Sequence, residues 1–296
     1  KDLKGAKIKV FTPTLKKDGF DLKLTIINIL VDDSPFLVDS VVLYLDSKGI
    51  KIKNVLHPNY FTSRDKKGEL LEILEEKAKG DNSEAMIQIH VEKIESLTEI
   101  EEIHTSIAKS LESVSLVVRD WQEMLQLAVK AASQINLAEK IKKSEITEIK
   151  DFIEWVNEGH FIFLGAQEFD IKKDSQNKYS LTAKKSAALG VFASPYEEFV
   201  PQVKNIAVEE VANSVKHPYV IEILKSRYRS RIHRFINAER IRIQKFSPEG
   251  EVVGEFRFIG LFTSSVYYSS TRDIPILRSK VEDVIEKSGY AKGSHN

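Results

Sequence analysis

The chain has 296 residues, which is enough for two domains of ordinary size. Hydrophobic residues make up 42% of the chain and charged residues 30%, as is typical of a globular protein with ordinary cores. The 44 basic and 44 acidic residues balance, so no overall field attracts nucleic acid or an anionic membrane, and the absence of cysteine excludes disulfides, thiolate nucleophiles and zinc–thiolate sites.

The first predicted elements are a strand, a helix and a second strand. Leu24–Val31 is rich in β-branched and aliphatic residues, which is typical of a largely buried strand. Ser34 is expected to cap the following helix, and Pro35 is expected to take its first position, where a missing N–H costs nothing. Gly49 is the expected end of the helix, and residues 50–53 alternate between isoleucine and lysine as a half-exposed strand.

The pattern continues with a turn, a strand and a long helix. Asp65–Gly68 is a turn sequence, and Met86–Glu92 alternates with its isoleucines and valine on one face. Ser96 and Glu99 have the spacing of a capping box at the start of a helix. The order is β-α-β-β-α with room for a small extra strand, which predicts an antiparallel sheet covered by helices on one side.

A charged break at residues 140–144 follows a helical pattern that runs from Val117 to Ile135, and we place the domain boundary at this break. Residues 1–21 are interpreted as a lead-in from a preceding module. Residues 22–137 form the first domain with its long connecting helix, and residues 145–290 form a second, mixed module. The predicted fold class is α+β.

The second module opens with an amphipathic helix that Gly159 is expected to end. An almost continuous apolar strand follows over residues 160–171, and residues 182–216, with one glycine and two prolines, are expected to be loop-rich. Alternating residues on both sides of 247–250 give a strong hairpin signal. A last helix is predicted over residues 274–287.

The candidate binding residues lie in the turn after the first strand: Asp32, Asp33, Ser34, Pro35 and Phe36. A helix N-terminus with Ser34 can hold the carboxylate of an amino acid, and an aspartate can take its ammonium group. The simpler interpretation is that the serine caps, the proline stiffens and the aspartates complement the helix dipole.

A second candidate is a basic row of Arg227, Arg229 and Arg231, which would share one face of a strand. Such a row can bind phosphates, nucleic acid or an acidic partner surface. Zero net charge favours a solvated face, and within that interpretation we expect a contact between modules. The seven histidines are scattered without the three- or four-residue spacing of a helical zinc site, so no metal site is expected.

The opening stretch INILVDDSPFLVDSVVLYLDSKGIKIKNVLHP resembles an ACT domain, a β-α-β-β-α-β regulatory module that often binds amino acids. Residues 33–37, DSPFL, stand where ACT domains carry an Asp-x-Pro-Gly-Leu turn, and residues 49–52, GIKI, stand at the Gly-Ile-x-Ile strand. The departure is Phe36 in place of the glycine that lets a ligand approach the backbone. The resemblance therefore implies an amino-acid effector site that Phe36 crowds.

Four further stretches resemble the N-terminal region of the large bacterial NAD-specific glutamate dehydrogenases: DDSPFLVDSV, VLHPNYFTSRDKKGEL, EWVNEGHFIFLGAQEFD, and the run from Gly250 to the end of the chain. That resemblance implies ACT-like and sensory-type modules ahead of a distant catalytic domain that oxidises L-glutamate with NAD. The chain has no G-x-G-x-x-G turn for a dinucleotide. We therefore assign no catalytic or NAD-binding residue here.

The resemblance implies a non-catalytic regulatory or assembly region of such an enzyme, with an ACT-like unit followed by a module that is PAS- or GAF-like by analogy of fold. Expected partners are the catalytic domain of the same chain, further copies in a homo-oligomer and an amino-acid effector, but neither nucleic acid nor membrane. No apolar run approaches the roughly 20 residues that span a bilayer, and no signal peptide is visible, so a cytoplasmic protein is expected. The alternatives are a free-standing ACT sensor and a scaffold that binds no small molecule.

Overall fold

The computed structural model of the chain describes residues 5–75, 82–135, 141–176, 178–201 and 208–289. The chain divides into two units. The first unit comprises Lys1–Val118, Tyr196–Phe199 and Arg229–Ile236, and the second comprises Arg119–Pro195, Val200–Tyr228 and Asn237–Asn296. Both units combine an antiparallel sheet with helices, so the α+β prediction is confirmed.

The first unit contains a six-stranded sheet in the order β1-β2-β6-β4-β5, with β3 also paired to β6. All of its pairings are antiparallel, as predicted. The strands are β1 (Lys7–Phe11), β2 (Leu24–Asp32), β3 (Ile52–Leu56), β4 (Asn59–Arg64), β5 (Leu70–Leu74) and β6 (Asn82–Glu92). The helices are α1 (Leu15–Asp18), α2 (Leu37–Ser47) and α3 (Leu97–Gln134), of which α3 contributes residues up to Val118 to this unit.

The N-terminal segment differs from its predicted role as a lead-in from another module. Its strand β1 pairs with β2 from Lys7↔Leu30 to Phe11↔Ile26. Strand β1 therefore belongs to the sheet of the first unit and covers this edge of β2. The boundary between the units also lies within α3, after Val118, and not at the charged break of residues 140–144.

The core of the first unit follows the alternation of β6. Ile87, Ile89 and Val91 are fully buried on its inner face, and Ile27 and Ile29 of β2 pair with the first two. The buried residues of α3 recur at helical spacing on one face: Ile103, Ile107, Leu111 and Val114. Since strands repeat every two residues and helices every 3.6, these patterns were visible in the sequence.

Three local signals in the first unit form as expected. The Ser96 hydroxyl accepts a hydrogen bond from the Glu99 N–H at 3.3 Å at the start of α3. The Asp65 carboxylate accepts from the N–H groups of Lys67 and Glu69, which closes the predicted turn. Gly49 adopts a positive φ of 70° after α2, a conformation that glycine reaches without a Cβ clash.

The second unit contains a five-stranded sheet in the order β8-β7-β11-β10-β9. Its strands are β7 (Phe161–Lys173), β8 (Tyr179–Gly190), β9 (Ile221–Arg229), β10 (Asn237–Phe246) and β11 (Val252–Phe262). The remaining helices are α4 (Lys143–Trp155), α5 (Val208–Lys216) and α6 (Leu277–Ser288). The predicted hairpin is β10–β11, and the predicted last helix is α6, which ends at Gly289.

The segment from Thr182 to Lys216 is more regular than predicted. Its first part completes β8, which pairs with β7 as far as Gly165↔Gly190, and its last part is α5. The alanines and lysines of this strand have low strand propensity, so pairing with the apolar β7 decides its conformation.

Aromatic residues fill much of the second core. Phe169, Phe256 and Phe258 are almost fully buried, and Phe163 meets Phe258 edge-on with ring centroids 5.8 Å apart. Gly260 lies at an irregularity in the β11–β7 pairing, and a Cβ there would collide with the Ile162 carbonyl. Glycine is therefore required at this crossing.

A buried glutamate joins three elements of the second unit. The Glu168 carboxylate on β7 accepts hydrogen bonds from Lys130 of α3 at 2.9 Å, Lys184 of β8 at 2.7 Å and Lys245 of β10 at 2.6 Å. Burial alone would raise the pKa of Glu168, but the three ammonium groups outweigh it and lower that pKa to about 2.

Candidate functional site

The candidate site in the first unit is the turn between β2 and α2. Strand β2 ends at Asp32, and the Asp33 N–H donates to the Ser83 carbonyl at 2.8 Å. The Asp33 carboxylate accepts from Asn59 Nδ2 at 3.0 Å and from Ser83 Oγ at 3.1 Å. Asp33 thus fastens the turn to β4 and β6, a structural role that differs from both predicted ones, ammonium binding and complementing the helix dipole.

The neighbouring ion pair fixes the end of β2 further. Glu84 of β6 lies opposite Asp32, and its carboxylate binds the Arg64 guanidinium through two hydrogen bonds of 2.5 and 2.7 Å. The Thr62 hydroxyl donates to the same carboxylate at 2.6 Å. The Arg64 hydrogen bond lowers the pKa of Glu84, and both charged side chains are buried. The charged groups beside the turn are therefore already paired with each other, and they hold the end of β2 in place.

The predicted cap of α2 is wrong by two residues. The helix begins at Leu37, so its N-cap is Phe36 and not Ser34, and Pro35 lies in the turn before the helix. The Phe36 carbonyl accepts from the Ser40 N–H at 3.1 Å, and no side chain caps the helix at Phe36. Phe36 has φ 71° and ψ 3°, the left-handed conformation that costs an L-residue roughly 1–2 kcal/mol.

The departure from the ACT pattern lies at this left-handed residue. The ACT turn carries glycine at this position, and the chain keeps the backbone of a glycine while it places a phenylalanine there. The ring of Phe36 packs against the ring of His233, with centroids 5.2 Å apart. This ring contact compensates part of the backbone strain.

His233 was missed by the sequence analysis, and it covers the first turn of α2. Its N–H donates to Ser40 Oγ at 3.3 Å, and its Nδ1 lies 2.8 Å from Asp39 Oδ2. His233 also has a positive φ, 63°. The segment is held in shape by the Ser230 hydroxyl, which donates to the Ile232 carbonyl at 2.7 Å and accepts from the Ile232 N–H at 3.1 Å. Because His233 lies 194 positions after Asp39 in the sequence, no local pattern reveals this contact.

The basic row is interrupted. β9 ends at Arg229, so Arg231 lies beyond the strand, and Arg227 belongs to the second unit while the other two belong to the first. The Arg229 guanidinium stacks on the ring of Phe235 at 3.9 Å and donates to the Phe235 carbonyl. The expected single face of three arginines is therefore absent. The reason is that the chain leaves the sheet at Ser230.

Metal-binding clusters and membrane-crossing helices are absent from the described residues. No cluster of histidine and acidic side chains among them is arranged to hold a metal ion. Within those same ranges, none of the helices combines the length and the apolar character that a membrane crossing requires.

Comparison with known proteins finds matches among glutamate dehydrogenases. Residues 2–107 match the family model described as the ACT1 domain of glutamate dehydrogenase, and residues 274–296 match helical motif 1 of glutamate dehydrogenase, of which residues 290–296 lie outside the described ranges. Three curated relatives bear the name NAD-specific glutamate dehydrogenase. The protein of Halomonas elongata is 29% identical over the whole chain, that of Pseudomonas aeruginosa 30% over 97% of it, and that of Mycobacterium tuberculosis 20% over 88% of it.

The strand–turn–helix and its sheet define the class: the first unit is an ACT domain, linked to a second antiparallel unit. More particularly, the chain corresponds to the N-terminal region of the large NAD-specific glutamate dehydrogenases. It spans 18% of the length of the first two relatives, less than a fifth of each.

Proposed function

We propose that this chain is a non-catalytic regulatory and assembly region of an NAD-dependent glutamate dehydrogenase that oxidatively deaminates L-glutamate to 2-oxoglutarate. The observation that carries the proposal is the match along the whole chain to 18% of two much longer enzymes, together with the ACT1 model at residues 2–107. Because these relatives match nearly all of the chain and are much longer than it, a region of an enzyme is favoured over a free-standing ACT sensor. Its partner is then the catalytic domain of the same polypeptide, in the cytoplasm.

The topology of both sheets supports a catalytic centre elsewhere. Dinucleotides bind at the switch point of a parallel, doubly wound sheet with a glycine-rich turn. The first sheet is antiparallel throughout, and so are the pairings of β8–β7, β7–β11 and β11–β10 in the second. Calorimetric titration of the chain with NAD tests this. No saturable heat is expected, and micromolar binding would contradict the proposal.

We also propose that the ACT turn binds no amino acid in this chain. Phe36 fills the approach, and His233 takes the Ser40 hydroxyl and the Asp39 carboxylate of the first helical turn. A ligand would have to displace both rings. A crystal soaked with L-glutamate should show no density at this turn. Density against the first turn of α2 would overturn the proposal.

The strand order of the second unit supports its assignment as a sensory fold of the PAS type. Numbered within the unit, its strands stand in the order 2-1-5-4-3, and the helical segment with α5 lies between the second and third strands. This order is that of PAS and related GAF domains, and it makes the second unit the better candidate for an effector site. An experimental structure with another strand order would contradict the assignment.

For assembly, we propose that copies of the chain associate through the free edge of the first sheet. β5 is the last strand of the sheet order and exposes Leu70, Leu71 and Ile73, of which Leu71 is 66% exposed. Unpaired edge strands with apolar side chains favour pairing with another chain. Light scattering should show a homo-oligomer that Leu71→Lys dissociates, while Leu97→Lys, at an exposed position on α3, leaves it unchanged. A monomer at high concentration would refute this.

A further inference from the structure

One face of the second sheet carries charged side chains in the interior of the unit. Arg242 of β10 lies directly opposite Arg257 of β11, and Gln244 lies opposite Glu255. The side chains of Arg242, Arg257 and Glu255 are only 3–4% exposed. Burying charges is unfavourable unless each one is paired and hydrogen-bonded. Burying these charges therefore costs free energy that a sheet with a purely structural role would not need to spend.

The carboxylates on this face are outnumbered by guanidinium groups. Glu255 is shared, because its Oε2 accepts from Arg242 Nη2 at 2.9 Å and its Oε1 accepts from Arg257. Glu222 of β9 accepts from Arg242 Nη1 at 2.9 Å and lies 3.9 Å from Arg240 Nη2. Three guanidinium groups thus share two carboxylates. Burial lowers the pKa of Arg257, which agrees with a cation that is not fully compensated.

A cavity of about 570 Å³ adjoins this face and is open to solvent. Its volume lies within the range of small-molecule sites, roughly 300–1,000 Å³. The helix α5 contributes Glu209, Asn213 and Ser214 to its wall, and His217 follows directly after the helix. The sheet side contributes Tyr219, Glu222, Arg240 and Arg242 among others. The cavity therefore lies between a helix and the charged face of the sheet.

Two hydrogen-bond donors of the cavity wall are buried without a partner among the residues that the structure describes. They are the hydroxyl of Tyr219 and the Nε of Arg240. Tyr219 is held in place because its N–H donates to Gln244 Oε1 at 2.9 Å. Burial raises the pKa of Tyr219, so its hydroxyl keeps its proton at neutral pH and remains a donor. Buried donors normally have partners, so these two indicate an acceptor that the described residues do not supply.

We propose that this cavity binds a small organic carboxylate, which accepts hydrogen bonds from Tyr219 and Arg240 and offsets the excess guanidinium charge. Arginine forms strong, charge-assisted hydrogen bonds with carboxylates. A neutral ligand would leave the excess charge uncompensated. Of the two carboxylates in the wall, Glu222 is already bound by Arg242 and Glu209 is exposed. The buried part of the wall therefore offers more donors than acceptors and selects against cations.

The test is calorimetric titration of the chain with succinate and L-glutamate, with neutral succinamide and inorganic phosphate as controls. At least one carboxylate should bind saturably, while succinamide should not bind and phosphate should bind more weakly. No saturable heat with either carboxylate overturns the proposal. Phosphate binding as tight as that of the carboxylates also overturns it, because it would indicate general anion attraction.

Two variants locate the site, and a third serves as a control. Arg240→Gln should weaken carboxylate binding about tenfold or more, and Tyr219→Phe about three- to tenfold, because each removes one donor to a charged group. Tyr219→Phe removes a hydroxyl without a partner, so the variant should fold as the wild type does. Arg227→Gln removes the same charge from an exposed position on β9 outside the cavity wall and should bind normally. Unchanged binding in both cavity variants, or an equal loss in Arg227→Gln, would refute the site.

Discussion

Replacing Glu168 with glutamine should destabilise the second unit, because it removes the carboxylate that three lysines share. The side chain of Glu168 is 4% exposed, and its pKa falls from an ordinary 4.5 to about 2 in the folded protein. Each pKa unit corresponds to about 1.4 kcal/mol, so ionisation of this group stabilises the folded state by about 3 kcal/mol at neutral pH. Glutamine resembles the protonated carboxyl group, so Glu168→Gln should lower the free energy of unfolding by that amount.

Urea denaturation followed by tryptophan fluorescence measures this loss. The chain has two tryptophans, Trp121 and Trp155, and both lie in the second unit, so their emission reports on that unit. Glu154→Gln is the matched control, since Glu154 is exposed on α4 of the same unit. It should change the free energy of unfolding by less than about 0.5 kcal/mol.

The pH dependence has a definite sign. Because the folded pKa of Glu168 is depressed, its contribution is fully present above about pH 4.5 and is lost as the pH falls toward 2. The stability difference between wild type and Glu168→Gln should therefore shrink across this range. A constant difference, or a loss at pH 7 no larger than that of Glu154→Gln, would refute the reasoning.

The structure supports three other predictions. In chemical denaturation, the Phe36→Gly variant should have a free energy of unfolding about 1 kcal/mol higher than the Phe36→Ala variant. Both variants lose the ring, but only alanine keeps a Cβ in the left-handed conformation. Equal stability would contradict the left-handed backbone at this position. Arg278→Gln should speed amide hydrogen exchange in α6, which buries no residue and is fastened by the Arg278 pairs with Glu148 and Asp151; unchanged exchange would mean that other contacts hold the helix. NAD should produce no saturable heat in calorimetric titration of this chain, because dinucleotides bind at parallel sheets and the first sheet is antiparallel; micromolar binding would contradict this.

Elements with strong periodicity were predictable from the sequence. The strand β6, the helix α3 and the β10–β11 hairpin combine clear alternation or helical spacing with recognisable caps and turns, and local rules decide their conformation. The strand β8 was not predictable, because its alanines and lysines favour no strand and only pairing with β7 explains it.

The two sites show why local rules were insufficient. At the ACT turn, Ser34 and Pro35 form a familiar helix start, yet the backbone of Phe36 delays the helix and a distant histidine packs on it. In the second sheet, Arg240, Arg242 and Gln244 alternate with apolar residues, a pattern typical of a solvated strand face. Arg242 and Gln244 are instead buried under α5, and only the tertiary structure reveals this.

The most direct test of the central proposal is the formation of NADH from L-glutamate and NAD, measured side by side for this chain and for a full-length relative such as the Pseudomonas aeruginosa enzyme. If these residues regulate and assemble, the full-length protein should turn over and the isolated chain should form no NADH above background. Turnover by the isolated chain would contradict the account.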